Sequence, residues 1–219
     1  MTRTPLSGLR AAVAQNMTEA WANPQVAIGV EVDMTACAQH REAASISIRI
    51  STTHLVVRAV ALTLREHPAL NARLIDGAIE TCEDVNVGVA VAVEGGILVP
   101  SIDGADTKSL EEIAIESGSL AKAARAMRLS PAALRTATFT VSNLSGTGID
   151  WFTPILNAPQ VAILGVGAVR DRPIARDGEA VVAPTCDLTL VFDHRAVDGY
   201  PASLFLEALR ARLTHARDL

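Results

Sequence analysis

One short segment concentrates the side chains able to do chemistry. Asp193, His194, Arg195 and Asp198 fall in FDHRAVDGY, where alternating apolar residues give way to a polar turn containing Gly199. A histidine at a strand end is held by a rigid element yet can face a cleft. With an ordinary pKa of about 6.5, a neutral imidazole there can take a proton from a thiol or hydroxyl. The alternative is a histidine hydrogen-bonded within its own turn. Asp198 also has two roles open to it. It can orient the imidazole as the third member of a triad, or it can be structural, pairing Arg10 or Arg195 or capping the helix that starts near Tyr200. The spacing of four from His194 carries little weight, because Gly199 interrupts helical geometry, and the structural role is favoured. Ser142, in TFTVSNL, lies on the polar face of an alternating run and precedes Asn143 and SGTG. Its hydroxyl can donate to a developing oxyanion or be satisfied by a neighbouring strand. It does not stand in a G-x-S-x-G elbow, so it does not read as a nucleophile.

Other chemistries find no support. SGTGID lacks the glycine pattern of a dinucleotide fold. Cys37, Cys82 and Cys186 are far apart and odd in number, which fits reduced, packed thiols in a cytosolic protein. His40, His54, His67 and His215 show no ligand spacing and are expected at solvated or helix-end positions, so no metal is expected. The 219 residues are 49% hydrophobic and 20% charged, an ordinary globular balance. The net charge of -5 comes with no basic stripe, which argues against nucleic acid. No apolar run is long enough to span a membrane, and MTRTPLSGLR lacks the apolar core of a signal peptide. A cytoplasmic protein is expected.

The elements that must position these side chains are legible as periodicities. LSGLRAAVAQNMTEAW reads as a helix with Leu9, Val13, Met17 and Ala20 on one stripe and Ser7 as N-cap. QVAIGVEVD reads as a strand after the Asn23-Pro24 stop. HLVVRAVALTLRE, ended by Pro68, and Ser109 to Met127 read as helices. VNVGVAVAV (Val85 to Val93) reads as one buried strand, Glu94-Gly95-Gly96 as a turn and ILVPSI as the next strand. QVAILGVG is a buried strand. TCDLTLVFD alternates Cys186, Leu188, Leu190 and Phe192 against Thr185, Asp187, Thr189 and Val191. A helix opening with Pro201 follows, with Leu204, Phe205, Ala208, Leu209 and Leu213 inward. There is no repeat and no Pro/Ala-rich linker, so residues 1–219 form one domain, a mixed sheet with packed helices.

Several segments, in order, resemble the catalytic domain of the dihydrolipoamide acyltransferases of 2-oxoacid dehydrogenase complexes. They are PLSGLRAAVAQNM, EHPALNARL, VNVGVAVAVEGGILVPSI, KSLEEIA, FTVSNL, FTPILNAPQVAILGVG and DHRAVDG. The resemblance is nearly end to end. It implies an α/β, two-layer fold shared with chloramphenicol acetyltransferase and a homotrimer with active sites between subunits. It also implies that CoA and a lipoyl arm enter from opposite ends. Carried over, His194 is the general base, Ser142 the oxyanion donor supplied by the neighbouring subunit, Asp198 the motif's acidic position and Arg10 its ion-pair partner.

Two departures qualify what the resemblance implies. The family usually places lipoyl and peripheral-subunit-binding domains ahead of the catalytic domain, and this chain starts directly at the latter. The lipoyl group would then come from another chain or from a part of the protein missing here. Family cores also often end in an apolar tail that locks trimers into cages, whereas LTHARDL is polar, so a trimer is expected. Two other functions remain open: a stand-alone CoA-dependent acyltransferase acting on a small hydroxyl or amine, and a non-catalytic scaffold. Neither the acyl group nor the CoA-contacting residues can be named from the sequence.

Overall fold

The computed structural model describes residue 3 and residues 5–44, 49–176 and 178–219. It contains five helices and eleven strands among these residues: α1 (Gly8–Trp21), β1 (Gln25–Asp33), α2 (Thr35–Ala44), α3 (Thr52–Glu66), β2 (Ala72–Ile75), β3 (Ala78–Thr81), β4 (Val87–Val89), β5 (Val91–Val93), β6 (Gly96–Leu98), β7 (Ser101–Ile102), α4 (Leu110–Arg125), β8 (Phe139–Asn143), β9 (Ala162–Val166), β10 (Arg170–Arg176), β11 (Glu179–Asp193) and α5 (Gly199–Thr214).

The main sheet runs in the order β1-β11-β9-β8-β4-β7, with β10 also paired to β11. It is mixed: β8 lies parallel to both β9 and β4, and β11 is antiparallel to its partners. The hairpins β2-β3 and β5-β6 stand apart from it. Helices α3 and α5 pack on each other, and α5 also packs on β1 and β11. Their buried faces join Phe139, Val141, Leu164, Leu188, Leu190 and Phe192 in the main core. Helix α3 buries Leu55, Val56, Ala59, Thr63 and Leu64 among others, and Ser51 caps its start. Ser109 and Glu112 form a capping box at α4, an arrangement that satisfies two otherwise orphaned backbone N–H groups. The opposite face of the sheet carries a smaller cluster of Leu156, Ile163 and Val191.

That second cover explains one departure from the anticipated alternation. Thr185, Thr189 and Val191 are buried as fully as the apolar row of β11, because both faces are covered at this strand. The expected strand Val85–Val93 is two strands. At Ala90 the backbone N–H donates to the Val141 carbonyl, after which the chain leaves the sheet to form the β5-β6 hairpin. Likewise ILVPSI breaks at Pro100, which has no N–H to offer a ladder. On α5, Leu206 faces the core and Leu204 is 44% exposed, one position off the expected stripe. Helix α2 and strand β10 were not anticipated.

Close packing beneath the second face depends on a glycine. A Cβ on Gly167 would come within 1.7 Å of the Asp150 carbonyl oxygen, which is backbone and cannot swing aside. Gly167→Ala is therefore expected to cost at least about 1–3 kcal/mol, the range for overpacking, read as a lower urea midpoint with an unchanged slope.

Candidate active site

Strand β11 delivers His194 at its end. Beyond it the chain turns tightly: the N–H groups of Ala196 and Val197 both donate to the Asp193 carbonyl at 3.0 Å. The Asp193 carboxylate is buried, accepting from the Arg195 backbone at 3.0 Å and from its guanidinium at 2.9 and 2.6 Å. Burial alone would raise the Asp193 pKa, but the Arg195 hydrogen bonds more than offset it and hold the carboxyl below its usual value. The His194 backbone N–H donates to the Pro24 carbonyl at 2.9 Å, which ties the turn to the start of β1. Its imidazole tilts against Phe192, with ring centroids 5.8 Å apart, and is 43% exposed. The backbone around this histidine is thus fixed while its ring stays open to solvent.

Asp198 stands at the N-cap of α5 but makes no capping hydrogen bond. Its carboxylate lies 3.8 Å from His194 Nδ1, beyond hydrogen-bond length, and is 84% exposed. The expected Arg10–Asp198 ion pair does not form within one chain. Helix α1, which carries Arg10, rests on β6, with Leu9 and Val13 over Gly96, whereas Asp198 sits at the start of α5. Arg195, the other partner considered, is taken by Asp193.

Ser142 lies on β8 opposite Gly165 of β9. Its side chain faces away from the main core, on the same side as Thr140, whose hydroxyl donates to Gln160 at 2.6 Å. Ser142 is half-buried, and no hydrogen bond of its hydroxyl is found among the described residues. The next residue, Asn143, faces the helices. Its amide donates to Thr53 Oγ1 at 2.7 Å and accepts from the Ser145 N–H at 2.7 Å.

The sheet register keeps Ser142 and His194 apart. Asp193 is level with Val161 at the start of β9, and Ser142 is level with Gly165 near its end. Four residues along β9 and two strand spacings across it separate their Cα atoms by about 16 Å, with His194 a step further still. No single chain brings the two side chains into contact.

A cavity of about 420 Å³ opens beside β8 on the helix side, lined by His54, Val91, Leu120, Arg125 and Asn143 among others. A hollow of about 600 Å³ shares Ser51, Thr53 and Ser145 with it and extends to Arg41 and Arg49. Sequence reasoning missed these residues, because the segments that supply them meet only in the folded chain. Burial raises the pKa of all three cysteine thiols, Cys37 to about 11 and Cys186 to about 12. Among the described residues no cluster of histidine, cysteine and carboxylate side chains could hold a metal, and no helix is long and apolar enough to cross a membrane.

The family model for the 2-oxoacid dehydrogenases acyltransferase (catalytic domain) matches residues 1–219. The chain belongs to this family. It is 39% identical over 220 residues to the dihydrolipoyllysine-residue acetyltransferase component of the Bacillus subtilis pyruvate dehydrogenase complex, covering 97% of this chain and 50% of that protein. To the corresponding component of the acetoin cleaving system of the same organism it is 39% identical, over 95% of this chain and 54% of that one. The chain thus spans about half the length of these curated relatives. Among solved structures, a probable dihydrolipoamide acetyltransferase from Listeria monocytogenes superposes with a TM-score of 0.94 at 32% identity, covering 100% of this chain and 97% of that one. An Azotobacter vinelandii dihydrolipoamide acetyltransferase, studied for the role of a serine, a histidine and an asparagine in its catalytic mechanism, gives 0.94 at 34% identity, covering 99% and 93%. Chloramphenicol acetyltransferase, at 17% identity and a TM-score of 0.61 over 94% and 96%, shares the fold.

The Asp193–Arg195 pair makes a pH prediction about this family member's histidine turn. A carboxyl whose folded pKa is depressed adds stability that is fully present above its ordinary value of about 3.9 and is lost as pH falls through the folded value. Asp193→Asn is expected to lower the melting temperature at pH 7 and to make its fall below about pH 4 shallower than in the wild type, as followed by circular dichroism.

Proposed function

We propose that the protein transfers an acyl group between a dihydrolipoyl thioester and CoA, in a ternary complex at sites shared by neighbouring subunits of a homotrimer. His194 removes the proton from the CoA thiol. The thiolate attacks the thioester carbonyl, and Ser142 of the next subunit donates a hydrogen bond to the oxyanion. Collapse of the tetrahedral intermediate expels the dihydrolipoyl thiolate, which takes the proton back from the His194 imidazolium. No protein nucleophile is required, in keeping with the raised cysteine pKa values.

The observation that carries this proposal is the separation of Ser142 from His194 by the sheet register, joined to a coincidence of spacing. The serine and histidine named in the Azotobacter vinelandii enzyme are 52 positions apart, as Ser142 and His194 are here. The asparagine named there lies four beyond the histidine, where this chain has Asp198. In this reading Asp198, whose carboxylate lies 3.8 Å from His194 Nδ1, orients the imidazole without touching the thiol. CoA is assigned to the cavity beside β8, one residue along from Ser142, with Arg41, Arg49 and the start of α3 available to its phosphates. The lipoyl group arrives from a domain outside residues 1–219 or from another chain.

With acetyl-CoA and free dihydrolipoamide, the wild type is expected to turn over and His194→Ala to be inactive. Ser142→Ala should fall about 100-fold in kcat with little change in the KM for CoA. Activity on an alcohol or amine alone would replace the lipoyl acceptor with a small molecule. Absence of turnover with any acceptor would leave a scaffold. Co-expressing the two variants tests the shared site: random mixed trimers should regain about one quarter of wild-type activity, since each site needs one His194 and one Ser142 from different chains. A site contained within one chain would regain none.

A further inference from the structure

We propose that His54 binds substrate, its Nε2–H donating a hydrogen bond to an amide carbonyl of the pantetheine arm of CoA in the cavity beside β8. The assignment rests on the CoA-dependent transfer proposed above.

His54 occupies the third position of α3, where a capping box usually holds glutamate or glutamine. Here the imidazole fills that role. Its Nδ1 accepts from the Ser51 N–H at 3.2 Å, and the His54 N–H donates to Ser51 Oγ at 3.4 Å. A ring nitrogen that accepts a hydrogen bond carries no proton, so the proton of the neutral ring is on Nε2. Burial lowers the His54 pKa and keeps the ring neutral. The ring lines the cavity, and Nε2 has no hydrogen-bond partner among the described residues.

The surroundings decide what this donor meets. Asn143, on the same wall, donates one N–H to Thr53 Oγ1 and accepts from the Ser145 N–H, which fixes the orientation of its amide. Val89, Val91, Ile102 and Leu120 make much of the remaining wall apolar. The wall is mixed, with Ser117, Ser145 and Arg125 also on it; between its apolar side chains the His54 Nε2–H is a neutral donor, which suits an uncharged chain that carries amide carbonyls. Phosphates call for guanidinium groups, and Arg41 and Arg49 stand in the adjoining hollow. Glutamate would complete the cap equally well but would present no donor to the cavity.

That difference provides the test. His54→Glu keeps the capping box and removes the donor, whereas His54→Gln keeps an acceptor for the Ser51 N–H and can turn an N–H toward the cavity. CoA affinity is measured by calorimetry on the assembled protein, with melting temperatures alongside. For His54→Glu we expect CoA binding weaker by about tenfold or more, consistent with loss of a buried hydrogen bond, at an unchanged melting temperature. The KM for dihydrolipoamide should not move, and His54→Gln should bind CoA close to the wild type. Wild-type affinity in His54→Glu overturns the assignment. So does an equal loss in both variants accompanied by a fall in melting temperature, which would make the residue a cap alone. A wild-type protein that does not bind CoA overturns the functional proposal and this assignment with it, whereas CoA binding in the wild type confines any failure to His54.

Discussion

The register of β11, β9 and β8 is the constraint on which the site depends. Backbone hydrogen bonds hold Phe192 opposite Ala162 and Ser142 opposite Gly165, so the histidine turn and the serine lie at different levels of one sheet. A slip of one residue would turn Phe192 and Leu190 out of the core, at a cost of about 1.5–3 kcal/mol for each large side chain exposed. The separation is therefore as rigid as the core itself. On the proposed mechanism, a chain built this way keeps its base and its hydrogen-bond donor apart, and a second copy unites them.

The same rigidity explains how an exposed histidine can be well positioned. The His194 ring makes few contacts, yet the backbone on either side of it is anchored. Asp193 is buried and held by Arg195 from within the turn, and the His194 N–H is held by Pro24 from the start of β1. Positioning is done by the main chain and the ring is left open to solvent, as the proposed encounter with a group from outside its own chain requires. Two strands away from β11, β8 divides its residues between two faces. Ser142 points to the side covered by Leu156, and Asn143 to the helix side, where it braces α3 and borders the cavity.

Much of the fold was legible because its core elements carry clear periodicities. Leu55, Val56, Ala59, Leu62 and Thr63 repeat at helical spacing, and all but the partly exposed Leu62 are buried on α3, while Cys186, Leu188, Leu190 and Phe192 alternate and are buried on β11. Legibility failed where tertiary context overrode local pattern. Val85–Val93 is apolar throughout apart from Asn86, so nothing in it marks the point at which Ala90 turns from one sheet toward another. Strand β10 is largely polar, with an edge proline, and becomes a strand only by pairing with β11.

The functional site divides in the same manner. His194 and Asp198 stand out as candidates in a polar turn after an apolar alternation, and Ser142 on the polar face of another, but their proposed roles come from the family resemblance carried by the order of the motifs. Partnerships are not visible that way. That Arg195 pairs with Asp193 and leaves Asp198 without it, that Arg10 makes no ion pair with Asp198 within the chain, and that His54 faces a cavity beside Ser142's strand are decided by the folded structure. Hydrogen bonds and ion pairs form between neighbours in space, and only the packing of helices on a registered sheet decides which residues become neighbours.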